Sequence, residues 1–200
     1  MAYVAAVLGG WLAGSIPSGY WVVRLVRGID VRRVGSRSIG ATNVWRVLGW
    51  RYGVPVIVLD VAKGFVPALL ARWLVDDLAG VLAGGAAMAG HWRPLFLRFE
   101  RGGKIVATTA GVLLGLAPLV AVSALAVWGL AFLVARYVSV ASIVAALAVP
   151  GIAFALGESW PVKALTIAGA AAVLVLHRGN LQRLRRGKEP RVRLRAVFGR

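Results

Sequence analysis

The stretch IVATTAGVLLGLAPLVAVSALAVWGLAFLVA, residues 105–135, decides how this chain is built. It runs for 31 residues without a charged side chain. A hydrocarbon core of about 30 Å takes roughly 20 apolar residues as helix. The run is therefore long for one crossing and short for two. Pro118 lies near its middle, with Gly111 and Gly115 just before it. Proline removes an intrahelical donor and clashes with the preceding turn, so the run is expected to break into two short helices.

Outward from this run, further apolar segments occupy about 2–23, 52–72, 78–97, 141–157 and 161–177. The whole chain is 60% hydrophobic, yet it carries 24 Lys and Arg against 7 Asp and Glu, a net +17. That apolar fraction excludes a disordered chain. The lack of cysteine excludes a disulfide framework and a thiolate nucleophile. An oily basic chain is either a nucleic-acid binder or a polytopic membrane protein with its cations on one side.

The placement of the charges separates these readings. The first 23 residues are uncharged, and the basic residues begin at Arg24 and Arg27. A secretory signal has the reverse order, so residues 1–23 read as a retained span with its N-terminus outside. If 105–135 crosses once, both chain ends share one side, and a tail with nine basic residues lies outside. If it crosses twice, 21 of the 24 basic residues lie inside. The positive-inside rule favours the second topology. The expectation is an all-α polytopic membrane protein with seven transmembrane helices, N-terminus outside and C-terminus cytoplasmic. Residues 1–181 form a single transmembrane domain, and 182–200 form a loose basic tail. The tail cations suit anionic lipid, at about 1 kcal/mol each near the surface. With no aromatic interleaving beyond Phe198, the tail does not read as a nucleic-acid site.

Four polar stretches then share the cytoplasmic face. The first holds Gly35-Ser-Arg-Ser-Ile-Gly-Ala-Thr-Asn-Val-Trp-Arg46. Glycines let successive N–H groups turn toward one anion. Ser36, Ser38, Thr42 and Asn43 add donors, and Arg46 adds a planar cation suited to phosphate. An interfacial turn with an N-cap at Thr42 or Asn43 would use the same residues. It is not a P-loop, because no Gly-Lys-Ser/Thr follows the glycines.

The second stretch contains Gly90-His-Trp-Arg-Pro94 and then Gly102-Gly-Lys104 opening an apolar helix. Gly102, Gly103 and Lys104 combine free N–H groups, a helix dipole and an ammonium, which together make an anion site. Lys104 also suits a plain helix-end lysine reaching for the interface. His91 beside Pro94 reads as a turn or cap residue. The third stretch places Ser139 and Ser142 three apart, on one face if helical. The fourth, His177-Arg-Gly-Asn-Leu-Gln-Arg183, places His177, Asn180 and Arg183 on one helical face. His177 fits either a general base or an interfacial anchor.

Asp60 and Lys63 are the opposite charges inside one predicted span, and at i,i+3 they can neutralise each other. Neither histidine has an aspartate four residues later: Leu95 follows His91, and Leu181 follows His177. The His-x4-Asp signature of soluble-domain glycerolipid acyltransferases is therefore missing. No acidic and histidine cluster has metal-ligand spacing, so neither metal nor cofactor is expected.

Taken together, these motifs resemble the bacterial acyl-phosphate:glycerol-3-phosphate acyltransferase family. The matching pieces are Gly35-Ser36, Gly40-Ala-Thr-Asn-Val-Trp-Arg46, Leu59-Asp-Val-Ala-Lys-Gly64, Gly90-His91, Gly102-Gly-Lys104, Val106-Ala-Thr108, Arg136-Tyr-Val-Ser-Val-Ala-Ser-Ile143 and His177-Arg-Gly-Asn-Leu-Gln-Arg-Leu184. The resemblance implies a seven-span enzyme of the bacterial inner membrane. Its substrates would be acyl-phosphate and glycerol 3-phosphate, and its products lysophosphatidic acid and phosphate. By position, His177, Ser36 and Lys104 would be catalytic. Thr42, Asn43, Arg46, Gly102, Gly103, Thr108, Ser139, Ser142, Asn180 and Arg183 would bind substrate phosphate. The chain departs from the family pattern at Arg37-Ser38, where Gly-Asn is common, and at Ile105, where Gly usually follows the lysine. Glu100-Arg101 lengthens the spacing from His91 to the glycine pair by one residue. A related enzyme with another donor or acceptor, or a non-catalytic phospholipid-binding protein, would share much of this inventory.

Overall fold

The computed structural model describes residues 1–192. Among these residues the regular structure is helical throughout, without strands. The helices are α1 (Ala2–Gly14), α2 (Ser18–Arg27), α3 (Ala41–Leu48), α4 (Trp50–Leu74), α5 (Asp77–Trp92), α6 (Val106–Leu116), α7 (Pro118–Ala135), α8 (Val138–Ala155), α9 (Trp160–Leu176) and α10 (Arg178–Arg185). Short 3-10 turns occupy Val31–Arg33 and Leu95–Leu97.

The run 105–135 breaks as its proline requires. Ala117 leaves the helical region at φ −146°, ψ 71°, and Pro118 starts α7. The pieces are unequal, 11 residues and 18. At 1.5 Å per residue, α6 is only about 16 Å long. The expected single span over 2–23 is also two helices, because Ser15–Pro17 interrupts it. Among the described residues, α4, α7 and α8 are long and apolar enough to cross a bilayer. The pair α9 and α10, bent by 50°, makes a fourth if it is one span.

The chain divides into two compact units, residues 1–118 and 119–200. In the first, α1 packs along α5, and α4 packs against both α5 and α6. Glycine sets the distance between α1 and α5. A Cβ at Gly10 would strike the Ala83 carbonyl, and one at Gly14 would strike that of Ala87, so the two backbones nearly touch. The Gly10/Gly14 pair, four residues apart, is thus a close-packing device. Asp76 caps α5 by accepting from Ala79 N at 2.8 Å. At the other end of α5, a core of Val23, Val31, Ile39, Val44, Val56 and Leu97 joins α2, α3, α4 and the 95–97 turn. This core seats the first two polar stretches side by side.

In the second unit α8 packs on α9, and α10 follows α9. The segment read as a loose tail from residue 182 begins inside α10 and continues to a buried Glu189. Residues 193–200, with Arg193, Arg195 and Arg200 of that tail, lie outside the described residues.

Candidate active site

The loop before α3 is built by one side chain. Asn43, 1% exposed, accepts from Ser36 N at 2.8 Å through Oδ1. Its Nδ2 donates to the carbonyls of Val31, Val34 and Ser38 at 3.2, 3.1 and 2.9 Å. Both amide hydrogens are thereby engaged. Asn43 was expected to bind phosphate; in the structure it is the anchor that folds the loop. Ser36 is half-buried beside it, and Ser38 is buried. Thr42 and Arg46 are both exposed and lie four apart on α3, so they share a face.

The second stretch sits next to the first. Arg32 bonds Asp30 at 2.7 Å and also Glu100, which ties the two loops together. The Arg32 hydrogen bond is the main reason the Asp30 carboxyl lies below the usual range, since its burial acts in the opposite sense. Glu100 belongs to the lengthened spacing noted in the sequence, and here that extra length carries a link. The Gly102–Gly103 turn hangs on the end of α5: Gly102 N donates to Trp92 O at 2.9 Å, and Gly103 N to His91 O at 3.0 Å. A side chain at Gly102 would run into the His91 and Trp92 carbonyls and the Pro94 ring. Lys104 is half-buried, two residues before α6. No side chain caps the N-terminus of α6, so its first N–H groups open onto the lysine turn. Thr108, fully buried, lies one turn into α6 with its backbone against Gly64.

The two departures from glycine both fall in left-handed backbone. Arg37 has φ +59° and Ile105 has φ +60°. Such a conformation costs a side-chain-bearing residue roughly 1–2 kcal/mol. Their substitutions are expected to have opposite signs. Arg37 is exposed, so Arg37→Gly relieves strain and stabilises by up to about 1 kcal/mol, less the added chain entropy. Ile105 is 3% exposed, and its burial contributes about 1.5–3 kcal/mol, so Ile105→Gly is a net loss. Thermal unfolding of the two variants in one detergent checks both signs.

In the second unit, Ser139, Asn180 and Arg183 converge on Glu189, which is 7% exposed. Ser139 Oγ and Asn180 Nδ2 donate to its Oε1 at 2.8 and 2.7 Å. Arg183 Nε donates to Oε2 at 2.7 Å. Burial pushes the Glu189 carboxyl up, but these three donors and the Arg183 charge outweigh it and hold it below the usual range. The Ser139 hydroxyl proton, expected to bind phosphate, is spent on this carboxylate. Ser142 similarly donates to Val138 O at 2.8 Å and accepts from Trp128 Nε1 at 3.2 Å. His177, 3% exposed, ends α9 with Nδ1 at 2.8 Å from Val173 O. With the proton on Nδ1, its basic nitrogen is Nε2.

Glu189 was not picked out in the sequence. A lone acid within the nine-cation tail was the available signal. Because its carboxyl is depressed, its stabilising contribution is complete above the unfolded glutamate value, about 4.3, and is lost as pH falls through the lower folded value. Glu189→Ala leaves three buried or half-buried donors unpaired and is expected to cost about 3 kcal/mol. The same variant should lose the steep part of acid unfolding below pH 4, which a pH series of unfolding midpoints reads directly.

A family model described as glycerol-3-phosphate acyltransferase matches residues 4–187. The chain belongs to the glycerol-3-phosphate acyltransferase family. A family member from Desulforudis audaxviator is 46% identical over 194 residues, covering 96% of this chain and 97% of its own. One from a Roseiflexus species is 47% identical, covering 96% of each chain. Among solved structures, the glycerol 3-phosphate form of the integral membrane acyltransferase PlsY (YgiH) superposes with a TM-score of 0.94 at 39% identity, over all of both chains. Its lysophosphatidic acid form gives 0.91 at 38%. With its long apolar helices, the family member described here is a membrane protein.

Proposed function

We propose that this family member transfers an acyl group from acyl-phosphate to the sn-1 hydroxyl of glycerol 3-phosphate. The products are lysophosphatidic acid and inorganic phosphate, and the setting is phospholipid synthesis at the bacterial inner membrane. The observation that carries the reading is the Gly102–Gly103–Lys104 turn at an uncapped helix start, in a loop tied through Arg32 and Glu100 to the one that leads into Ser36–Arg46. Both substrates carry phosphate, and this is a donor set for phosphate.

The reaction needs little from the protein beyond placement. The glycerol hydroxyl oxygen attacks the acyl carbonyl carbon. The new ester C–O bond forms, and the bond to the phosphate oxygen breaks. Phosphate is a good leaving group, so positioning and charge stabilisation supply much of the catalysis. Lys104, the α6 N–H groups and the two glycines hold a substrate phosphate, with Ser36, Thr42 and Arg46 bracing it. A substrate phosphate takes the hydroxyl proton, and the resulting P–OH donates to the lone pair of His177 Nε2, the ring nitrogen opposite the one bonded to Val173 O. Asn180 and Arg183 bind substrate phosphate alongside His177 in the second unit. Asn43, Ser139 and Ser142 are frame residues in this scheme, and Thr108 supports the turn from α6.

The topology is seven spans with the N-terminus outside and the C-terminus cytoplasmic. Its support is that it would gather 21 of the 24 basic residues on one side, the cytoplasmic one. The short α6 crosses within the protein, packed through Gly111 on the Val61 carbonyl of α4. The basic tail meets anionic lipid head groups. An acceptor comparison tests the function: with acyl-phosphate as donor, glycerol 3-phosphate should be acylated at least a hundredfold faster than glycerol. Equal rates with glycerol would remove phosphate recognition from the acceptor site.

A further inference from the structure

A buried polar cluster lies beneath the Gly102–Gly103–Lys104 turn, and the phosphate reading makes no use of it. Asp60, Lys63 and His91 are 2%, 6% and 2% exposed. Lys63 Nζ stands 2.7 Å from Asp60 Oδ1 and donates to Ile16 O at 3.0 Å, in the break between α1 and α2. The His91 imidazole has two working edges. Its Nδ1 faces the same Asp60 oxygen at 3.9 Å, beyond hydrogen-bond reach but close enough for the charge to orient the ring. Its Nε2 edge lies against Gly103: a Cβ there would fall on Nε2, with Cδ2 only 2.8 Å away. The same residue's carbonyl accepts from Gly103 N.

Two consecutive glycines are the loosest pair a backbone can contain. They have no side chains to fix them, so the restraint on this turn must come from outside. It comes from two backbone hydrogen bonds to the end of α5 and from the Nε2 edge of the imidazole. A buried ion pair is a poor stabiliser, because desolvation of both ions offsets most of their attraction. The Asp60–Lys63 pair therefore needs another reason, and holding a fixed carboxylate against His91 supplies one.

We propose that His91, oriented by the buried Asp60–Lys63 pair, is the positioning residue of the phosphate-binding turn. Removing the ring leaves the turn intact in sequence but free to wander, and Lys104 wanders with it. This rests on the reading of that turn as a phosphate site.

The test uses the full chain in lipid, with His91→Ala, His91→Gln and the double variant Asp60→Leu/Lys63→Met. The double variant removes both charges together, so no unpaired ion stays buried. Hydrogen exchange of the 98–105 segment and the KM and kcat for glycerol 3-phosphate are measured, with the unfolding temperature alongside. The expected result is exchange roughly tenfold faster in that segment, KM raised roughly tenfold and kcat within threefold, in both His91→Ala and the double variant. His91→Gln, which refills the space, should recover most of the change. Exchange and KM within twofold of the unsubstituted protein would overturn the proposal. So would a joint fall of kcat and unfolding temperature without a segment-specific exchange change. If the unsubstituted protein shows no acyl transfer, the functional reading fails, and the exchange data still decide the role of His91.

Discussion

Replacing His177 by alanine is expected to cut turnover at least a hundredfold while changing glycerol 3-phosphate affinity by less than about threefold. The split follows from where the residue sits. His177 is almost fully buried at the end of α9, and its Nδ1 is fixed by the Val173 carbonyl one turn back. A ring held in this way is oriented for chemistry through Nε2 and contributes little to holding substrate. An interfacial anchor would behave differently: its loss would soften the helix end and leave turnover nearly intact. His177→Asn is the useful companion, since it preserves a hydrogen bond to Val173 O but has no basic nitrogen. Both variants should be slow in single-turnover kinetics, with near-normal binding in calorimetry. Turnover unchanged in either would remove His177 from the reaction.

Lys104→Met is expected to act on the opposite quantity, raising the KM for glycerol 3-phosphate about a hundredfold or more. A charge-assisted hydrogen bond contributes about 1.5–3 kcal/mol, and the lost ammonium also removes a charge from a turn with few alternatives. Lys104→Arg should recover only part of the affinity, because a planar fork does not replace a point charge in a turn of fixed shape. A helix-end lysine that merely reaches for the interface predicts something else, namely that Arg restores full activity. Inorganic phosphate supplies an independent reading: as a product-like competitor it should inhibit the unsubstituted protein and fail to inhibit Lys104→Met.

Much of this was legible in the sequence, for identifiable reasons. The break in 105–135 was readable because proline acts locally. The pairing of Asp60 with Lys63 was readable because i,i+3 spacing fixes the geometry once the segment is helical. The helix that follows Gly102-Gly-Lys104 was readable because a glycine turn running into an apolar stretch marks a helix start locally. What failed depended on contacts across the chain. Asn43 looked like a ligand because nothing local shows that three carbonyls, as far back as Val31, will claim its hydrogens. Ser139 looked like a phosphate donor because its partner, Glu189, lies fifty residues on, in a segment that read as a loose tail. His91 looked like a cap because its neighbour Gly103 is brought back by a turn that includes two left-handed residues, Arg98 and Phe99. The two glycine departures were visible as letters, but their cost emerged only with the φ values at Arg37 and Ile105.

The central claim is that phosphate leaves as an acyl group moves to glycerol 3-phosphate. The most direct measurement follows both products at once from the purified protein in lipid, with acyl-phosphate as donor and acyl-CoA and acyl carrier protein thioesters in parallel. The predicted result is one phosphate released per lysophosphatidate formed, strict dependence on glycerol 3-phosphate, and no product from either thioester. Phosphate release that continues without acceptor, or lysophosphatidate formed equally well from a thioester, would contradict it.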